Sequence, residues 1–147
     1  MHERTVRELN EIVKDEQRMI EAYAYMIEDT QEPELKEELR RIQERHFQQL
    51  MAFSDRIYEL GGDAKFKVGA SGLDEDRRHY QDKRRDITDL ERARKALTRE
   101  QQQTERLSRF VLSDEDPSSL ELIKLAANKN QHHIKALEEY IQRRERQ

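Results

Sequence analysis

A chain of 147 residues is about the size of one ordinary domain. Charged residues make up 41% of it and apolar ones 34%, with both signs interspersed to a net charge of −4, which is not the basic footprint of a nucleic-acid binder. The absence of cysteine excludes a disulfide framework, a thiolate zinc site and thiol chemistry, and no apolar run approaches the roughly 18 residues of a membrane span.

The N-terminus, MHERTVRELN, carries no apolar signal region, so the expectation is a soluble cytoplasmic protein that binds neither membrane nor nucleic acid. So much charge could mean disorder, but the apolar residues recur with a helical period, as long amphipathic helices require. Breakers are few: Pro33, Pro117, and four glycines gathered in LGGDAKFKVGASG, residues 60–72. They divide the chain into predicted helices at about 4–31, 33–60, 84–112 and 117–145.

The first helix carries the stripe Val6, Leu9, Val13, Glu16, Ile20, Tyr23 and Ile27, in which Glu16 is the one charged member. The second opens on Pro33, suited to a first turn, behind Glu32, a poor cap. Its stripe runs Leu35, Leu39, Ile42, His46, Leu50, Phe53, Ile57 and Leu60; His46 is the exception, with Gln43 on the same side. The connector, about 61–83, is long enough to travel the roughly 40 Å of such a helix, so two antiparallel hairpins joined by a long crossover are expected. A disordered linker is the alternative, or solvated helix over DRRHYQDKRRD. The third helix has Leu90, Ala93, Leu97, Glu100, Thr104, Leu107 and Val111. The fourth, with Asp116 as N-cap, has Ile123, Ala126, Asn130, His133, Leu137 and Tyr140.

Each helix therefore has a polar intruder near its middle. Glu16 lies 17 residues before Pro33 and His46 lies 13 after it; Glu100 lies 17 before Pro117 and His133 lies 16 after it. At about 1.5 Å per residue, each pair meets at nearly one level across its hairpin. The repeated order hints at a duplicated hairpin. Buried carboxylates are costly unless paired or bound to a cation, and facing ones raise each other's pKa. A metal ion relieves both costs, and Glu with His suits iron, manganese or zinc.

This layout resembles the ferritin-like superfamily, rubrerythrins included, and the glycine-bearing turn looks like a bacterial ferritin-like family of unknown function. The resemblance covers nearly all of 1–147, a single four-helix bundle domain. It implies a single Glu on helices 1 and 3, matched by Glu16 and Glu100, and Glu-x-x-His on helices 2 and 4. QERH and NQHH stand in the latter places, with His46 and His133 as the histidines. The family's bridging carboxylates would fall at 43 and 130, where this chain has Gln43 and Asn130. Glu44 is no simple substitute, because residues one or two apart do not share a helix face.

Three outcomes stay open for this layer: a metal-free hydrogen-bonded network that sets helix register, one divalent ion on two Glu and two His, or a working two-metal oxidase. Tyr23 is placed either as a donor to the site or as a core residue. Met19, Met26 and Met51 are expected to fill gaps in the core. His2, His79 and His132 are expected at the surface. There is no Gly-rich phosphate loop and no Ser nucleophile arrangement. The expected function is a ferritin-like protein with a degenerate site for one divalent ion; the alternative is a metal-free bundle acting in stress or assembly through interaction. Any redox cycle would need an external partner, and a homo-oligomer is compatible with the sequence.

Overall fold

The computed structural model describes residues 2–65, 87–113 and 116–146, the backbone alone at 111–113. The fold is all-α: helix α1 (Glu3–Asp29) and α2 (Pro33–Glu59) have 27 residues each, α3 (Asp89–Ser113) has 25 and α4 (Pro117–Glu145) has 29. No strand occurs among the described residues. The expected connector and His79 lie outside them, apart from 61–65.

Local chemistry explains the helix ends. Pro33 sits in the first turn of α2, and Glu32 gives no side-chain cap. Asp89 compensates from the start of α3: its carboxylate accepts from the Gln31 and Glu32 N–H groups at 3.2 and 2.9 Å. Asp116 caps α4 as expected, accepting from the Ser119 N–H at 3.1 Å. Its carboxylate also receives the Arg56 guanidinium at 2.8 Å, from near the end of α2.

The expected start of the third helix at 84 needs correction. Residues 84–86 lie outside the described set, but Ile87 and Thr88 are not helical. The Thr88 hydroxyl accepts from the Glu91 N–H at 3.1 Å, and its carbonyl accepts from Arg92 at 3.0 Å. A hydroxyl that caps so well stops the helix from running back into the charged stretch before it.

The end of α2 is a Schellman turn. Gly61 has φ +84°, its N–H bonds to the Tyr58 carbonyl, and the Gly62 N–H bonds to that of Ile57, both at 3.0 Å. Gly62 then passes so close to α1 that a Cβ there would lie 2.7 Å from Val6 Cγ1. Asn10 holds the next residues, donating to the Asp63 carbonyl at 3.1 Å and accepting from the Lys65 N–H at 2.7 Å.

Packing is heaviest between α1 and α2 and between α3 and α4; α2 also touches α4, and α1 touches α3. Tyr23, Leu39, Ala96 and Leu137 belong to one apolar cluster, and Leu9, Phe53, Leu107 and Ile123 to the other. Met19 and Met26 fill the first, as expected. Met51 does not: it is 44% exposed, because it lies on the outer face of α2 with Phe47 and Tyr58. His2 and His132 are exposed.

Candidate metal centre

Polar residues from all four helices are gathered between the two apolar clusters. Glu16 of α1, His46 of α2, and Glu100 of α3 have no exposed surface, and His133 of α4 is buried. They touch directly. His46 Nδ1 lies 2.7 Å from Glu16 Oε2, and its Nε2 lies 2.9 and 2.8 Å from the two Glu100 oxygens. His133 Nδ1 lies 2.7 Å from Glu100 Oε1.

The histidines have opposite electrostatics. Burial opposes charge on His46, but Glu16 and Glu100 outweigh it and raise its pKa from 6.5 to about 10. His46 is therefore an imidazolium that donates to both carboxylates. Burial also lifts Glu16, against His46 and Gln103. For Glu100 burial is outweighed by the two histidines, and its pKa falls below the ordinary value. Burial depresses His133, against the pull of Glu100. A neutral His133 that donates from Nδ1 keeps a lone pair on Nε2. That nitrogen is buried and has no hydrogen-bond partner.

Amides extend the layer. Gln103 donates to Glu16 Oε1 at 2.6 Å, Asn130 donates to Gln103 Oε1 at 2.7 Å, and Gln49 reaches Asn130 Oδ1 at 3.5 Å. Gln49 and Gln103 escaped the sequence reading. Each lies three residues after a polar stripe member, His46 or Glu100, and so shares its face. Thr104 returns its hydroxyl to the Glu100 backbone carbonyl at 2.7 Å and takes no part. Tyr23 stacks on His46, centroids 5.8 Å apart and planes inclined at 20°. Its hydroxyl is buried without a hydrogen-bond partner, and burial with the nearby Glu100 charge pushes its pKa well up.

Of the six residues expected at the site, five come together. Gln43 stands apart: it is half-buried and donates to the Ile20 backbone carbonyl at 3.0 Å, in the seam between α1 and α2. An amide can close that seam by capping a carbonyl, which a carboxylate cannot do. Asn130 is in the layer, but its N–H is committed to Gln103.

His46, Glu100 and His133 each offer a ligand atom within 4.8 Å of the others, so this buried cluster could hold a metal ion. Once His46 gives up its Nε2 proton to an incoming ion, two imidazoles and a carboxylate, with Glu16 adjacent, fit one divalent ion. They do not fit two, since neither Gln43 nor Asn130 supplies bridging charge. Among the described residues, the fold and this centre define an all-α arrangement of four helices around a buried His–Glu–His cluster. No protein-family model matches the chain, and neither the curated proteins nor the solved structures contain a significant match.

Proposed function

We propose that the protein is a ferritin-like bundle whose core site holds a single divalent ion, iron, zinc or manganese. One observation carries this: the His46, Glu100 and His133 ligand atoms converge in the buried interior, and His133 Nε2 is buried with no hydrogen-bond partner. The ferritin-like topology is supported by which ends meet. Asp89, opening α3, bonds beside the start of α2, and Arg94 pairs with Glu145 at the end of α4. The end of α2 meets the start of α4 through Arg56 and Asp116. Helices α2 and α3 then run the same way, as two hairpins joined by a crossover would require.

His46, Glu100 and His133 would hold the ion, and Glu16, accepting from His46 Nδ1, would orient that imidazole from behind. A bound ion supplies Lewis acidity and, if iron or manganese, electron transfer. The chain's own groups hold the ligands in register: Gln103 orients Glu16, and Tyr23 covers the His46 ring. With two carboxylates, two-metal ferroxidase chemistry is slow or absent.

A second reading is a metal-free bundle that acts by interaction. The continuous chain of hydrogen bonds from Gln49 through Asn130, Gln103, Glu16, His46 and Glu100 to His133 favours it, because His46 as a cation already balances a carboxylate. Elemental analysis separates the two. Stripped protein is reloaded with zinc, iron(II) or manganese(II), beside Glu100→Gln and a Gln43→Glu, Asn130→Glu double variant. One ion in wild type and none in Glu100→Gln support the first reading. No ion in folded wild type establishes the second, and two tightly held ions overturn both.

A further inference from the structure

A half-open cleft of about 380 Å³ runs between α1 and α3, on the outside of the layer just described. Its walls carry Lys14 and Arg18 from α1 and Arg99 and Arg106 from α3, against the carboxylates of Glu11 and Asp15. In a chain of net charge −4 this is a local excess of positive charge. Asp15 is already used, because Arg106 grips both of its oxygens, at 2.7 and 2.9 Å. In the adjoining recess along α3, Arg94 is likewise satisfied by Glu145 at 2.7 Å. Among the described residues, Lys14, Arg18 and Arg99 make no ion pair and no side-chain hydrogen bond. Arg99 is the telling one, since it is half-buried. An arginine whose stem is partly covered keeps its charged head in reach of an anion at the cleft wall.

We propose that this cleft binds a small anion bearing a phosphate or diphosphate group, held by Arg18 and Arg99 and steered by Lys14. Guanidinium forks match phosphate oxygens bidentately, and among the described residues neither Arg18 nor Arg99 is committed to a carboxylate, whereas Arg106 is tied to Asp15. The volume is that of a small-ligand site. An extended nucleic acid does not fit the pattern: Arg99 and Arg106 lie about 10 Å apart along α3, and Glu11 and Asp15 border the patch with the wrong sign. The cleft is independent of the ion in the core, so it stands whether or not that site is metallated.

The test is calorimetric titration of the full chain with inorganic pyrophosphate, in chelator-treated buffer of low ionic strength. A second titration with ADP distinguishes a free anion from an organic phosphate, which binds tighter if the organic part is read as well. A third uses a short DNA duplex. Saturable one-to-one binding of pyrophosphate is expected, weakened about tenfold in Arg99→Gln and in Arg18→Gln, but unchanged in Arg45→Gln, which removes an exposed cation from a different recess, between α2 and α4. Backbone resonances of wild type titrated with pyrophosphate should move around residues 14–18 and 99–106, a readout that needs no variant to fold. Absence of saturable binding, equal weakening by Arg45→Gln, resonance shifts spread over all faces, or tighter binding of the duplex than of either small anion would overturn the proposal.

Discussion

Raising the pH should loosen the metal-free protein chiefly through His46. Its pKa is raised from 6.5 to about 10 by Glu16 and Glu100. A raised histidine contributes stability that is complete below the unfolded value of 6.5 and is lost as pH climbs through the folded value near 10. Between those limits the folded state holds one proton more than the unfolded chain, so stability falls by about 1.4 kcal/mol per pH unit. From pH 6.5 to 9.5 the loss is about 4 kcal/mol, an upper value for a coupled buried cluster. His133 acts in the opposite sense: its depressed pKa costs stability as pH drops below 6.5. Glu100 does the same below its ordinary 4.5. Glu16, raised by burial, adds to the decline above 4.5. Above pH 6.5 His46 and Glu16 both lower stability, so the profile should fall from there upward. Tyr23 and Tyr140 are also raised, by burial first, and would add their own loss above pH 10, so the measurement stops at 9.5. The assay is urea unfolding at fixed pH from 5 to 9.5 with chelator present, on wild type and His46→Gln. A flat wild-type profile above pH 6.5, or the same slope in His46→Gln, would refute the assignment of His46 as a buried cation.

Zinc should raise the melting temperature of wild type and leave that of Glu100→Gln unchanged, since an ion binding only the folded state adds about 2.7 kcal/mol at a hundred times its Kd; equal shifts in both proteins would place the ion elsewhere. Asp116→Ala should cost about 1–2 kcal/mol in chemical denaturation, from the lost cap on Ser119 and the released Arg56. Gly62→Ala should cost about 1–3 kcal/mol, because its Cβ would meet Val6 Cγ1 at 2.7 Å. A Val6→Ala change in that background should recover part of the loss, and no recovery would move the cause from the contact to the backbone.

Much of the fold is written in the sequence because helices are local. The 3.6-residue period named the faces, and Pro33, Pro117, Asp116 and the glycines at 61 and 62 marked ends, each through chemistry that acts within a turn or two of itself. The same reasoning picked out Glu16, His46, Glu100 and His133, since a charge on an apolar stripe is conspicuous, and counting residues from each proline set them at one height. Tertiary structure decided the rest. Gln43 lies on the right face, yet its amide closes a backbone carbonyl on α1. Gln103, hidden in a run of three glutamines, is the residue that links Asn130 to Glu16. The start of α2 is held by Asp89, 57 residues after Glu32. That one histidine is a cation and the other neutral is equally beyond a linear reading. Both are imidazoles on apolar stripes, and only the count of carboxylates around each ring, two at His46 and one at His133, sets their charges apart.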